Sequence, residues 1–214
     1  MESKYEHLDN LIKRYPTLEV CEKDIISSFL ILEKCYKNGG KVLVAGNGGS
    51  AADALHIVGE LMKAFTLPRK LSNDVCDALD RSSNNADYLK QNLQMALPAI
   101  ALVSEVGLTT AYSNDVASDL IFAQQVLGYA KAGDVFLGIS TSGNSKNIIY
   151  AAEVAKAMGM TVIGLTGATG GKMKDACDIC IRVPEKETFK IQELHLPVYH
   201  ALCLEVEKSM FGRE

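Results

Sequence analysis

Five short, uninterrupted apolar runs constrain the fold of this 214-residue chain more than any other feature. They begin at positions 41, 98, 134, 161 and 178 and read KVLVAG, PAIALVS, DVFLGIS, TVIGLTG and DICIRV. Runs of this length are typical of parallel strands covered by helices on both faces, because neither face then meets water. We therefore predict about five parallel strands.

The stretch between the third and fourth runs has the period of a helix. It reads NSKNIIYAAEVAKAMGM, with apolar side chains at Ile148, Ile149, Ala152 and Ala155, and Gly159 is placed to end it. A strand, a helix and a second strand in succession indicate a parallel pair joined by a crossover. The sequence thus predicts the α/β class with a doubly wound, five-stranded parallel sheet.

The two ends of the chain and one internal segment depart from this alternation. Residues 1–40 predict an N-terminal helical arm, interrupted near Pro16 and followed by a single compact domain over residues 41–214. The chain closes with a long helical pattern that contains Pro197, where we expect a kink or a break. Residues 65–95 are the least regular, and we expect an exposed loop from 80 to 87 flanked by short helices.

Composition narrows the function classes. The chain has 22 basic and 26 acidic side chains, for a formal charge of -4, which argues against a nucleic-acid-binding surface. No apolar run is long enough for a signal peptide or a membrane span, so we expect a cytoplasmic protein with no membrane contact. The six cysteines are predicted to be structural. In particular, the alternation in CDICIRV places Cys177 and Cys180 on opposite faces of a strand.

Two glycine- and hydroxyl-rich turns each follow a predicted strand and precede a predicted helix. The first, GNGGSAAD, contains Asn47, Gly48, Gly49 and Ser50, and the second, STSGNSKN, contains hydroxyl groups at Ser140, Thr141, Ser142 and Ser145. Helix N-termini attract anions, and the turns lack the Walker lysine, so a phosphomonoester on a small molecule is favoured over a nucleotide triphosphate. Ordinary strand-to-helix turns are the alternative reading.

Two pairs of polar residues have helical spacing. His56 and Glu60 stand four residues apart on the helix that follows the first turn, so they share a face. Gln192 and His200 stand eight apart, about two helical turns, and can share a face as well. Together these groups are able to bind Zn²⁺ or a similar divalent ion, although an amide oxygen is an uncommon zinc ligand. Structural roles at the edge of the core are the alternative, and His195 is predicted to be structural.

Four motifs in this order resemble the sugar isomerase (SIS) domain, and within it the phosphoheptose isomerases. They read GNGGSAADALHIVGEL, GDVFLGISTSGNSKN, GLTGATGGKM and IQELHLPVYHAL, and the likeness covers residues 41–64 and about 98–211. The resemblance implies a flavodoxin-like sheet and a cytoplasmic bacterial homotetramer with active sites between subunits. It also implies conversion of sedoheptulose 7-phosphate to glycero-manno-heptose 7-phosphate, an early precursor of activated heptose for surface glycans such as lipopolysaccharide.

The resemblance also implies roles for individual residues. Glu60 and His200 would be the acid/base pair, and His56, Glu60, Gln192 and His200 would be the ligands of a zinc ion. The substrate would be bound by these residues: Asn47, Gly48, Gly49, Ser50, Asp115, Ser140, Thr141, Ser142, Ser145 and Gln192.

The chain departs from the family pattern at two places. Phe189 stands where compact members carry an acidic residue, with Glu187 two positions earlier, and residues 65–95 are longer than those members need. Two alternatives stay open, and the longer segment is the main reason for the second. One is a non-catalytic SIS protein, such as the family's replication-initiation stimulators, and the other is an isomerase or sensor of another phosphosugar.

Overall fold

The five apolar runs form one all-parallel sheet in the computed structural model, which describes residues 5–212. The strands are β1 Val42–Ala45, β2 Ala99–Ala101, β3 Val135–Ser140, β4 Thr161–Thr166 and β5 Ile179–Arg182. Their order is β2-β1-β3-β4-β5, with Val42 of β1 opposite Ala99 on one side and Val135 on the other. The predicted α/β fold class and the number of strands are confirmed.

Helices cover both faces of the sheet. The ten helices of the described residues are α1 Glu6–Arg14, α2 Glu22–Lys37, α3 Gly49–Met62, α4 Asn73–Ser82, α5 Ala86–Asn92, α6 Val106–Asp115, α7 Ile121–Tyr129, α8 Lys146–Ala157, α9 Met173–Ala176 and α10 Thr188–Phe211. Short 3₁₀ turns lie at Pro16–Cys21, Leu102–Ser104 and Ser118–Leu120.

The alternation of side chains along each strand divides the core into two parts. In β1, Val42 and Val44 face the cluster built from α1, α2, α3 and α10, whereas Leu43 and Ala45 face the cluster built from α7, α8 and α9. Both sets are fully buried. This is the physical reason for the uninterrupted apolar runs, since neither face of the strand is left to solvent.

The N-terminal helices pack into the same core as the strands. Leu8 and Leu11 of α1 and Phe29 of α2 are buried together with residues of α10. Glu205 of α10 also accepts hydrogen bonds from the backbone N–H groups of His7 and Leu8, at 2.7 and 3.3 Å. The helical character of the arm and its interruption at Pro16 are confirmed.

The predicted long C-terminal helix is confirmed. It runs without a break from Thr188 to Phe211, with Pro197 in its interior. Of the kink or break predicted at this proline, the break is wrong. The imino nitrogen cannot donate to the carbonyl one turn earlier, but burial of Val198, Tyr199 and Leu202 against the core holds the helix together across this position.

The segment of residues 65–95 forms α4 and α5, separated by a short link at residues 83–85. The flanking short helices are thus confirmed, but the loop is shorter than the predicted range of 80–87. A side chain from Ser72 caps α4 by accepting the N–H of Val75. Neither helix contains a fully buried residue, so both lie on the surface of this chain.

Cys177 and Cys180 lie on the same face of the sheet, which corrects the prediction of opposite faces. Only Cys180 belongs to β5, since Cys177 ends α9 and the chain bends at Asp178. Both sulfur atoms lie against Gly164 of β4. A Cβ atom at that glycine would be 2.7 Å from Sγ of Cys177 and 3.4 Å from Sγ of Cys180.

None of the helices within residues 5–212 combines the length and the apolar character that crossing a lipid bilayer requires.

Candidate active site

The two hydroxyl-rich turns meet at one point of the sheet. The first follows β1 and the second follows β3, and these strands are neighbours. Because the strand order reverses between them, with β2 on one side and β4 on the other, their carboxyl ends form the crevice where open α/β sheets bind ligands. The sequence prediction that both turns serve one site therefore has a topological basis.

The first turn leads directly into α3 and places its backbone against α10. Gly48 has φ of +56°, a conformation that favours glycine, and it stands at the N-cap of α3. A Cβ atom at Gly49 would overlap the side-chain amide of Gln192. Gln192 therefore lies directly on the turn, and Ser50 is buried beneath it in the first turn of α3.

The second turn is held by its own hydroxyl groups. Oγ of Ser140 and Oγ of Ser145 are 3.0 Å apart, and Oγ of Ser142 accepts the N–H of Asn144 at 3.1 Å. Gly143 has φ of +65°, and a Cβ atom there would overlap the carbonyl of Gly170. Ser145 is the N-cap of α8, so these hydroxyls surround a helix N-terminus, an arrangement that suits an anion.

A reciprocal pair of amides joins the two turns. Nδ2 of Asn47 donates to Oδ1 of Asn147 at 3.0 Å, and Nδ2 of Asn147 donates to Oδ1 of Asn47 at 2.9 Å. The residues are 100 positions apart in the chain. This pair fixes the spacing between the N-terminal ends of α3 and α8.

His56 joins Glu60 and His200 in a polar cluster. Nε2 of His56 is 3.2 Å from Oε1 of Glu60 and 3.4 Å from Nε2 of His200. The first two residues lie on α3, and the third comes from α10, 144 positions away from His56. The structure thus brings the carboxylate and the imidazole of the predicted acid/base pair to one place, with the second imidazole between them.

The orientation of His56 is set by two residues of its surroundings. The hydroxyl of Tyr199 donates to Oδ1 of Asp53 at 3.3 Å and lies 3.0 Å from Nδ1 of His56. The contact with Tyr199 holds Nδ1 of His56 against the tyrosine hydroxyl, so that Nε2 of the same ring faces Glu60 and His200.

Burial changes the proton affinity of this cluster. Desolvation, and secondarily the neighbouring His56, lowers the pKa of His200 below its usual value, although Glu60 opposes the shift. Desolvation also raises the pKa of Asp53, against the hydrogen bond from Tyr199. His200 is therefore a neutral base at neutral pH, ready to accept a proton.

A buried ion pair connects the helices that carry this cluster. The side chains of Arg69 and Glu207 have no exposed surface, and Nε of the arginine donates to Oε1 of the glutamate at 2.8 Å. The guanidinium also donates to the backbone carbonyls of Leu61 and Glu60, at 2.5 and 3.0 Å. Arg69 thus caps the C-terminal end of α3 and joins it to α10.

The carboxylate of Glu207 also accepts hydrogen bonds from the backbone that follows α3. It accepts the N–H groups of Phe65, Thr66 and Leu67 at 2.8 to 3.1 Å. Burial alone would raise the pKa of Glu207, but these N–H donors and Arg69 outweigh burial and lower it. The carboxylate is therefore charged at neutral pH.

The distances between the donor atoms of this cluster match those around a zinc ion. Tetrahedral zinc with bonds of about 2.0–2.1 Å places neighbouring ligand atoms roughly 3.3 Å apart, which agrees with the 3.2 and 3.4 Å around His56. A hydrogen bond that fixes the tautomer of a histidine is also typical of metal ligands. Within residues 5–212, however, no three or more His, Cys, Asp or Glu side chains form a group arranged to hold a metal ion. Each of the two donor-atom distances therefore fits zinc, but the described residues do not form a complete three-ligand site.

Other predicted site residues occupy different surroundings. Asp115, at the end of α6, is exposed and accepts a hydrogen bond from Asn114; it bonds to none of the other predicted site residues. Phe189 is 56% exposed near the start of α10. Glu187 forms an ion pair with Lys190. His195 is fully buried, in agreement with a structural role.

Sequence reasoning missed Asn147, Tyr199, Asp53, Arg69 and Glu207. Asn147 was detectable, since it follows Ser145 within the second turn motif. Asp53 and Tyr199 were detectable as well, since they stand in the motifs GNGGSAAD and IQELHLPVYHAL. Arg69 and Glu207 lie in no motif that distinguishes them from ordinary core or surface residues.

Comparison with known proteins agrees with this geometry. Residues 84–167 match the SIS domain family. The chain is 44% identical over 176 residues to the phosphoheptose isomerase of Aneurinibacillus thermoaerophilus, covering 82% of this chain and 76% of that protein. It is 43% identical over 180 residues to phosphoheptose isomerase 2 of Campylobacter jejuni, covering 84% and 77% of the two chains.

Solved structures agree as well. The phosphoheptose isomerase of Francisella tularensis superposes with a TM-score of 0.75 at 32% identity, covering 94% of each chain. That of Neisseria gonorrhoeae superposes with a TM-score of 0.74 at 32% identity, covering 94% of this chain and 95% of its own. From the sequence identity and the extent of these matches, the chain belongs to the phosphoheptose isomerase family of SIS-domain proteins.

Proposed function

We propose that the protein is an aldose-ketose isomerase that converts sedoheptulose 7-phosphate to D-glycero-D-manno-heptose 7-phosphate. One observation carries the proposal: the Glu60 carboxylate and the His200 imidazole both lie within 3.4 Å of Nε2 of His56. Membership of the phosphoheptose isomerase family supports the same reaction.

The phosphate would be bound by the two turns. Ser50, Ser140, Thr141, Ser142 and Ser145 offer hydroxyl groups around the N-termini of α3 and α8. Hydroxyl and backbone N–H donors, together with the helix dipoles, stabilise a phosphomonoester without a cationic side chain. Asn47, Gly48 and Gly49 would line the same pocket, with Gln192 against the glycines. Asp115 would also contact the substrate, a role that only the family resemblance supports.

The proton transfers follow from the chemistry of an enediol intermediate. Glu60 takes a proton from C1 of the ketose and returns a proton to C2 of the enediol. His200, neutral because burial lowers its pKa, moves the proton between O1 and O2. Each of these groups contributes roughly 10² to 10⁴-fold to the rate. Tyr199 and Asp53 keep His56 oriented beside both groups.

A Zn²⁺ ion is part of the proposal. His56, Glu60, Gln192 and His200 would hold it, and a bound ion would polarise the sugar carbonyl. The 3.2 and 3.4 Å donor spacings support this assignment. Its test is metal analysis of the purified protein, followed by thermal unfolding of chelator-treated protein with and without added Zn²⁺.

We further propose a cytoplasmic homotetramer with active sites between subunits. Apolar side chains are exposed on two helices, including Leu55 at 50% and Met62 at 45% on α3, and Leu108 at 41% on α6. Exposed apolar groups of this kind are typical of surfaces that associate. All six cysteines are free, which suits a reducing compartment. Sedimentation analysis of the wild type and of Leu55→Glu tests the tetramer.

The test of the activity uses sedoheptulose 7-phosphate and fructose 6-phosphate, with and without chelator, followed by NMR of the anomeric protons in D₂O. Turnover of the heptose phosphate is expected, with a loss of about 10²-fold or more in Glu60→Gln. Glu153→Gln, an exposed carboxylate on α8, is the matched control and keeps full activity. Full activity in Glu60→Gln would remove the mechanism.

The same experiment separates the alternatives. Turnover of fructose 6-phosphate alone would identify a different phosphosugar, and tight binding without turnover would identify a non-catalytic SIS protein. Family membership and the meeting of Glu60 with His200 disfavour the non-catalytic alternative.

A further inference from the structure

The pair formed by Cys177 and Cys180 lies outside the site described above. The bend at Asp178 brings the two sulfurs to one face of the sheet, against the bare backbone of Gly164. Asp178 stabilises the bend, since its N–H donates to the carbonyl of Val162 at 2.9 Å and its Oδ2 accepts the N–H of Val162 at 2.7 Å. Both cysteines are partly exposed.

The surroundings of the pair favour a thiolate on Cys180. The thiol of Cys177 donates a hydrogen bond to it, which is the largest cause that lowers the pKa of Cys180 to about 7. Thr166 Oγ1, at 3.6 Å, and the nearby Arg182 act in the same direction, whereas burial and Asp24 oppose them. Cys177 has a raised pKa, because it is the donor of this hydrogen bond and is also partly desolvated. These opposite shifts favour Cys180 as the nucleophile and Cys177 as the sulfur that keeps its proton.

The other cysteines differ from this pair. Burial raises the pKa of Cys21 and Cys35 to about 11 and that of Cys203 to about 12. These three are buried, and Cys76 is partly exposed on α4. Among the cysteines of the described residues, only Cys177 and Cys180 have sulfur atoms that both lie against the same residue, Gly164.

We propose that Cys177 and Cys180 are a reversible dithiol–disulfide site, oxidised by hydrogen peroxide, in which Cys180 attacks and Cys177 resolves. The Cys180 thiolate attacks one peroxide oxygen, so that an S–O bond forms, the O–O bond breaks and hydroxide leaves. The Cys177 sulfur then displaces the Cys180 hydroxyl as water and the S–S bond forms. The two thiols lose two electrons and two protons, and the peroxide becomes two waters.

The test is mass spectrometry of the native protein after peroxide treatment, followed by reduction with dithiothreitol. The wild type is expected to lose the mass of two hydrogens, to yield a peptide with Cys177 linked to Cys180, and to recover its mass on reduction. Cys76→Ala is the matched control and keeps the linked peptide. Cys180→Ala yields none.

The Cys177→Ala variant separates the roles of the two sulfurs. Without a resolving thiol, Cys180 is expected to accumulate as a sulfenic acid that dimedone traps. Without the hydrogen-bond donor, alkylation of Cys180 by iodoacetamide at pH 7 is expected to slow by about threefold, because a smaller thiolate fraction outweighs the higher intrinsic reactivity.

Two results would overturn the proposal. One is oxidation of wild-type Cys180 to sulfinic acid with no linked peptide, and the other is linkage between chains instead of within one chain. The readout is independent of isomerase activity, so failure here leaves the proposed function intact, and failure of that function leaves this site intact.

Discussion

Replacing Glu207 with glutamine tests whether the buried ion pair supports the site. The glutamate accepts bonds from three backbone N–H groups and from the Arg69 guanidinium. Glutamine keeps the shape of the side chain but loses the charge. Its amide nitrogen is a hydrogen-bond donor, and it would face N–H groups that are donors as well. The guanidinium of Arg69 is then left buried without a counter-charge.

The size of the effect follows from complete burial of both side chains. Breaking a buried pair by removing one partner costs about 3–5 kcal/mol. For a domain of this size each kcal/mol lowers the melting temperature by roughly 2–4 °C, so we expect a fall of roughly 6–20 °C. Because Arg69 caps the helix that carries Glu60, kcat should fall more than KM rises.

Urea and thermal unfolding, followed by circular dichroism, measure the loss of stability. Glu153→Gln on the surface of α8 is the control and is expected to change the free energy of unfolding by less than about 0.5 kcal/mol. The double variant Arg69→Met with Glu207→Leu removes both charges and should recover much of the loss. A loss below about 1 kcal/mol in Glu207→Gln, as for an exposed pair, would refute the reasoning.

Three further predictions concern single residues. Burial lowers the pKa of His195 to about 4, so between pH 6.5 and 4 the unfolded chain binds a proton that the folded chain does not. The free energy of unfolding should therefore fall by about 3 kcal/mol as the pH drops from above 6.5 toward 4. Urea titrations should not find this pH dependence in His195→Gln. Gly143→Ala places a Cβ atom against the Gly170 carbonyl at φ of +65° and should cost about 1–3 kcal/mol in thermal unfolding. Asn147→Ala removes the amide partner of Asn47 and should raise KM by roughly two- to tenfold, about 0.5–1.5 kcal/mol, with little change in kcat; an unchanged KM would contradict a role in holding the turns together.

Much of the fold could be predicted from local pattern. Each apolar run became a strand, and the helix before Gly159 ended as expected, because burial on two faces and helical period are properties of neighbouring residues. The break at Pro197 could not be judged in this way. A proline interrupts an isolated helix, whereas here the buried side chains of Val198 and Tyr199 compensate for the lost hydrogen bond.

The site was only partly predictable. The spacing of His56 and Glu60 placed them on one face, and the spacing of Gln192 and His200 suggested a second pair. The motif resemblance then implied that Glu60 and His200 act together as acid and base. The sequence did not predict the contact of Cys177 with Cys180, since it depends on a bend at Asp178 that strand alternation does not anticipate. Likewise, nothing near Arg69 in the chain indicates Glu207 as its partner, 138 positions away.

By itself, the sequence determined the class of the fold, the number of strands and which turns offer hydroxyl groups, because these depend on residues close together along the chain. Only the tertiary structure decided which groups meet. The strand order places the turns after β1 and β3 side by side, and the packing of α10 on α3 brings His200 to His56 across 144 positions. Contacts over such separations depend on the packing of whole elements, which no local spacing encodes.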